Sequence, residues 1–165
     1  VIVLGIDPGK TTGWAMVEDG ARLLAFGVLA TGDEEAHLAE LIKRPAIPPS
    51  LVVVEMAGEI HPVRRKGFAG ISTDQATALL RAGEIGAGLL CEAKHCGVER
   101  ERVTSEEWRR AICEDAQADN ATIETALRLR LARMPPPRKS NNHERDAMGV
   151  ALFGFLRWNL RRANK

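Results

Sequence analysis

The sequence predicts an α/β fold: a five-stranded mixed sheet, three antiparallel strands followed by two parallel ones, flanked by helices. Three observations carry this. Asp19-Gly20 is a tight-hairpin signal between two apolar runs, so the strands it joins are antiparallel neighbours. Leu51-Val52-Val53-Val54 is apolar on both faces, as a central strand covered by helices on each side must be. Beyond Glu55, helical and strand-like segments alternate, the pattern of parallel strands joined by helical crossovers.

Residues 1–6 are apolar and β-branched and run into Asp7-Pro8-Gly9, a turn signal, so they form the first strand. Residues 13–17 form the second, and the hairpin leads into a third over 21–30. Residues 33–43 have helical spacing, with Leu38, Leu41 and Ile42 on one face, and stop before Pro45. Pro48 and Pro49 precede the fourth strand, which ends at Glu55. A loop with Gly58, Pro62, Gly67 and Gly70 follows, basic at its centre through Arg64, Arg65 and Lys66. Ser72 or Thr73 caps a long helix reaching about residue 95. Its Ala82, Gly83, Gly86 and Gly88 cost ~1 kcal/mol per Gly relative to Ala, so close packing against a sheet or another helix is expected there. Residues 98–103 form a fifth strand. Thr104 or Ser105 caps a helix through Cys113, and Asn120 caps another ending near residue 132, before three consecutive prolines. Asn141, with Glu144 three residues on, opens the last helix, which runs through Asp146 towards Trp158.

A length of 165 residues, 45% hydrophobic, fits one domain over 1–165 with a real core. It is too short for two lobes around a nucleotide cleft, which excludes an actin-like ATPase. No apolar run approaches the ~20 residues of a membrane helix, and no basic-then-apolar leader opens the chain. Three cysteines (Cys91, Cys96, Cys113) are an odd number, arguing against a disulfide framework and for a reducing, cytoplasmic setting. The net charge of +1 is a cancelled sum: residues 127–165 hold ten Lys/Arg against two acids, and residues 1–126 thirteen against twenty. A near-neutral chain with a basic C-terminal quarter can still hold a polyanion on one face.

Three acids demand an explanation. Asp7 ends the first strand and Glu55 the fourth; if those strands are central and parallel, the two carboxylates stand side by side. Like charges that close repel, and burial opposes ionising either, so a site that keeps both charged usually contains a cation. The plain alternative is that each acid marks a strand end. Asp146 lies early in the last helix, three residues after His143 and on the same face, where a solvated first turn is the plain alternative.

Taken together these segments say more. GIDPGKTTGWAMV (residues 5–17), VVVEMA (52–57) and HERDAMGVAL (143–152) resemble, in order, the motifs of the RuvC family of Holliday-junction resolvases. LLRAGEIGAGLLCEA (79–93) resembles that family's long middle helix, and residues 103–112 sit where it has a strand and site-adjacent basic residues, so the resemblance covers most of the chain. It implies an RNase H-like fold and a homodimer that cuts four-way DNA junctions with divalent metal, in a bacterial cytoplasm or, for a phage-encoded member, that of the host. Asp7, Glu55 and Asp146 match the family's catalytic, metal-binding carboxylates, and His143 takes a fourth position that is Asp in some members and His in others. The segment HPVRRKGF (61–68) departs from the family in being longer and more basic. Phe68 is the candidate for the aromatic wedge that opens the junction centre; a Phe buried in a loop is the alternative.

Phosphodiester hydrolysis needs an in-line water and stabilisation of the attacking and leaving oxygens, which two metal ions ~3.5–4 Å apart can supply. Oxygen-rich ligands select Mg²⁺ or Mn²⁺. In the implied arrangement Asp7 bridges two ions per site and Glu55 and Asp146 each complete one shell. His143 either ligates a metal or handles a proton. Junction binding rests on phosphate contacts, for which Arg64, Arg65 and Lys66, then Arg109 and Arg110, are the candidates; Arg128, Arg130, Arg133, Arg138 and Lys139 extend the same face or are merely solvated. The middle helix, through Gly83, Gly86 and Gly88, is the expected dimer face.

Gly9-Lys10-Thr11 invites a phosphate-loop reading, but Gly5 and Gly9 leave three residues between them where four are needed, so no nucleotide cofactor is expected. Cys91, His95 and Cys96 share one helix with no second ligand pair, and the two cysteines read as buried helix residues. Trp14, Trp108 and Trp158 read as core or interface anchors. Two rivals stay open: another RNase H-like nuclease acting on RNA–DNA hybrid or structured RNA, and a non-catalytic branched-DNA-binding protein.

Overall fold

A computed structural model describes residues 1–29, 31–43, 48–56, 73–134 and 142–164. Its strands are β1 (Ile2–Asp7), β2 (Gly13–Glu18), β3 (Arg22–Val28), β4 (Leu51–Glu55) and β5 (Glu99–Val103). Its helices are α1 (Glu34–Lys43), α2 (Thr73–His95), α3 (Ser105–Cys113), α4 (Asn120–Arg130) and α5 (Asn142–Ala163). The five strands form one sheet in the order β3-β2-β1-β4-β5. β1–β2 and β2–β3 are antiparallel, β1–β4 and β4–β5 parallel, as the sequence predicts. Among the described residues no helix is long and apolar enough to cross a membrane.

Strand alternation splits the core in two. Val3, Leu51, Val53 and Val103 point to one face, where α3, α4 and α5 cover them with Trp108, Ile112, Ile123, Leu127 and Val150. Ile2, Leu4, Ile6, Val52 and Val54 point to the other, under Leu38 and Ile42 of α1 and Leu89 and Ala93 of α2. Both faces of β1 and β4 are thus buried, which is why these strands read as unbroken apolar runs.

Several local expectations change. The β2–β3 connection spans residues 19–21, one more than a two-residue turn, with Gly20 and Ala21 both at positive φ. Asp119, not Asn120, caps α4, accepting from the Thr122 N–H at 2.8 Å. The caps proposed at Ser72 and Asn141 lie outside the described residues. Helix α5 continues to Ala163, and its last turns are tied down: Arg157 and Arg161 reach Glu101 on edge strand β5 at 2.6 and 2.8 Å. All three cysteines are free, and Cys91 is exposed rather than buried.

Candidate active site

The parallel pairing of β1 and β4 brings their C-terminal ends together, with Ile6 opposite Val54 in register. Asp7 and Glu55 each follow by one residue. Alternation then aims both side chains at the face covered by α3 and α5, where the odd-numbered residues of these two strands point.

Helix α5 crosses this end of the sheet at very short range because glycines line its path. A Cβ at Gly5 would overlap the backbone of Ala147 and Ala151, and one at Gly13 the backbone of His143. Gly13 pairs with Asp7 across β1–β2, so the first turn of α5 lies directly over the Asp7 position. His143 and Asp146 are thereby delivered to the acids. His143 Nδ1 lies 2.6 Å from Asp7 Oδ2, and its ring occupies the space that a side chain at Gly9 would need. The glycines of residues 5–13 therefore make room for a helix and a histidine, not for a phosphate.

Helix α3 closes the site from the side. Thr104 caps it with a reciprocal box: the Glu107 N–H donates to Thr104 Oγ1, and the Thr104 N–H to Glu107 Oε2. That fixes the two residues that follow. The Trp108 ring is fully buried against Gly149 of α5, where a Cβ would strike it, and Trp108 Nε1 donates to Glu55 Oε2 at 2.7 Å. Arg109 stacks over that indole, 5.3 Å from the ring centre, and donates from Nη2 to Asp146 Oδ2 at 3.2 Å. Arg145, 6% exposed, donates to Asp146 Oδ1 from Nε and Nη2 at 3.1 and 2.9 Å. Its guanidinium also reaches Asn120 Oδ1 at 2.8 Å and Asn142 Oδ1 at 3.3 Å. Because Asp119 does the capping, the Asn120 side chain is left to accept from Arg145.

Burial dominates the electrostatics. It pushes the Asp7 carboxyl above the ordinary range against the opposing pull of His143. Glu55 is raised to about 7, first by burial and then by the negative charge of Asp7, with the Trp108 bond working against both. The bond to Asp7 raises His143, favouring its imidazolium. The acids are thus crowded, partly starved of water, and each engaged by a donor of this chain. In this arrangement no three His, Cys, Asp or Glu side chains among the described residues stand grouped to hold a metal ion.

All four residues that the sequence singles out come to one end of the sheet. Of the DNA-contact candidates, Arg64, Arg65, Lys66, Phe68, Arg138 and Lys139 lie outside the described residues. Arg109 turns inward to Asp146, whereas Arg110 is exposed. Arg128 and Arg130 bond or pair with Glu124 and Glu114. On α2, Gly86 makes room for Met56 and Gly88 for Glu35, the close packing expected of its small residues, and among the described residues nothing lies within 4 Å of a Cβ at Gly83. Sequence reading missed Trp108 and Arg145 as site residues. Trp108 read as a core or interface anchor, and Arg145, inside the motif that carries His143 and Asp146, drew no reading of its own.

No protein-family model matches the chain, and no curated protein matches its sequence. Solved structures do match. Thermus thermophilus RuvC in complex with a Holliday junction substrate is 22% identical, with a TM-score of 0.72 over 97% of this chain and 96% of that one. A second Thermus thermophilus RuvC structure is 23% identical, with a TM-score of 0.68 over 98% and 97%. The chain has the RuvC-like RNase H fold.

Proposed function

We propose that this chain is a structure-specific endodeoxyribonuclease that resolves four-way DNA junctions by metal-dependent phosphodiester hydrolysis in recombination and repair. One observation carries the reading. Asp7, Glu55, His143 and Asp146 converge at the C-terminal ends of β1 and β4, in a fold also solved as a protein bound to a Holliday junction. A protein that only binds DNA gains nothing from burying carboxylates where phosphates must approach.

By chemistry the donor set fits Mg²⁺ or Mn²⁺, although its side chains, engaged by Trp108, Arg109, Arg145 and one another, are not yet grouped around an ion. It is rich in carboxylate oxygen, and burial together with the Asp7 charge holds Glu55 at about 7, a repulsion that a cation relieves. Asp7, Glu55 and Asp146, with His143, are the residues that would hold two ions. Bound there, the ions would supply an activated water and stabilise charge on the attacked phosphate. The chain's own groups do the rest. Trp108 fixes one oxygen of Glu55, and Arg145 fixes one oxygen of Asp146. His143, held by Asp7, positions a proton beside the reacting group.

Resolution requires two opposed nicks, so a two-fold homodimer is the natural assembly. With Gly86 and Gly88 used within the chain, the part of α2 left for it includes Gly83 and the exposed Leu79 and Leu80. DNA contact by Arg64, Arg65, Lys66, Arg110 and the Phe68 wedge belongs to the same proposal, as does residues 1–165 working as one nuclease domain in the cytoplasm.

The test is a labelled four-way junction incubated with Mg²⁺ or Mn²⁺, beside duplex and RNA–DNA hybrid. Paired symmetric nicks in the junction, lost in Asp7→Asn, are expected. Preferred cutting of the hybrid would assign the chain to another RNase H-like nuclease, and binding without cutting to a branched-DNA-binding protein.

A further inference from the structure

Asp146 is the one acid of the site whose two oxygens both carry an arginine, and the two arginines are held very differently. Arg145 is buried and anchored at three acceptors: Asp146, Asn120 and Asn142. Arg109 has a single hydrogen-bond acceptor among the described residues, Asp146 Oδ2, and its side chain is 26% exposed. Its Nε is buried and has no hydrogen-bond partner among the described residues. A buried donor left unmet costs about 1–3 kcal/mol, so the present Arg109 conformation is strained where that of Arg145 is satisfied. Oδ2 is also the Asp146 oxygen that a divalent cation would need, since Oδ1 is taken by the buried, three-fold bonded Arg145.

We propose that Arg109 is an exchangeable counter-ion of Asp146. It occupies Oδ2 while no divalent cation is bound, gives it up when one arrives, and so sets the affinity of the site for metal. This rests on the metal-dependent reading above. The exchange gives one residue two positions: inward, stacked on Trp108 and neutralising the acid cluster, or outward, with its guanidinium free for a DNA phosphate, the contact expected of it from sequence. An empty site therefore does not leave Oδ2 of Asp146 without a counter-charge.

The test is Mn²⁺ titration by calorimetry, without DNA, on the wild-type chain and on Arg109→Gln, Arg109→Met, Arg110→Gln and Asp146→Asn. Circular dichroism checks that each variant is folded. Both Arg109 variants should bind Mn²⁺ roughly tenfold tighter, because a competing cation has been removed at contact distance. Arg110→Gln removes the same charge one residue away and should stay within about twofold, since an exposed charge is screened. Asp146→Asn should weaken binding. A second readout follows the Arg109 Nε–H resonance, assigned by its loss in Arg109→Gln. Saturating Mg²⁺ should shift it in the wild type. Equal affinities for the Arg109 and Arg110 variants, or an unmoved resonance at saturation, overturns the exchange while leaving the metal reading intact. A wild-type chain that binds no Mn²⁺ overturns both.

Discussion

Trp108 Nε1 donates to Glu55 Oε2 at 2.7 Å, and packing holds both partners: the indole fills the space above Gly149, and the carboxylate ends a buried strand. Trp108→Phe keeps most of the packing and removes only the donor. Losing a hydrogen bond to a carboxylate costs about 1–3 kcal/mol, so the melting temperature should fall by several degrees. Because the bond holds the Glu55 carboxyl down, its loss should also move the acidic limb of the cleavage profile to higher pH. An unmoved limb with a lowered melting temperature would reduce Trp108 to a packing residue.

The pH dependence of stability has a definite sign without metal. Glu55 ionises from an ordinary 4.5 in the unfolded chain but only at about 7 in the folded one. Between these values the folded state holds the extra proton, so stability falls as pH rises from about 4.5 to 7, by roughly 3 kcal/mol at most. Asp7, also raised, acts in the same direction. His143 is raised above 6.5, so its contribution is complete below that pH and disappears as pH climbs through its folded value. Thermal melts from pH 5 to 8 should therefore decline, and Glu55→Gln should flatten the decline. At pH 8, Mn²⁺ at a hundred times its dissociation constant should return about 2.7 kcal/mol. A flat profile for the metal-free wild type would contradict the burial of these acids.

The sheet was legible because burial on both faces of β1 and β4 left continuous apolar runs, and because an Asp-Gly turn forces antiparallel neighbours. The acids were legible for a related reason: a carboxylate at the end of such a run has no place in a core. What surrounds them was not. The sites of Trp108, Arg109 and Arg145 depend on how closely α3 and α5 approach, and that is set by Gly5, Gly13 and Gly149 acting across the fold. A glycine in sequence announces freedom or a turn; it does not say which helix will use the space. For the same reason Gly86 and Gly88 announced close packing without saying that Met56 and Glu35 would fill it.

Gly13→Ala tests that approach directly. The added methyl meets the backbone of His143 rather than a flexible side chain, so α5 must shift. Overpacking of this kind typically costs about 1–3 kcal/mol, and it separates His143 from Asp7. We expect cleavage to drop at least tenfold, the order of effect that sub-ångström to ångström misplacement brings, while the fold survives by circular dichroism. Gly83→Ala, with nothing among the described residues within 4 Å of its Cβ, should leave the stability of the fold unchanged or slightly raised. Equal behaviour of the two variants would refute the close packing of α5.

Arg145 gives the sharpest prediction about what holds the site together. Its guanidinium joins Asp146 and Asn142 of α5 to Asn120 of α4, three acceptors for one planar fork. Arg145→Leu removes the donor and strands a carboxylate and two amide oxygens, a loss of about 3–5 kcal/mol for breaking a buried pair. Arg145→Lys should recover little, because an ammonium cannot present the same fork to three acceptors. The double variant Arg145→Leu/Asp146→Leu removes the stranded charge together with its partner. It should therefore be more stable than Arg145→Leu alone, although catalytically dead. Urea denaturation of the three variants decides it. A lysine variant within 0.5 kcal/mol of the wild type would mean that charge, not the fork, joins α4 to α5.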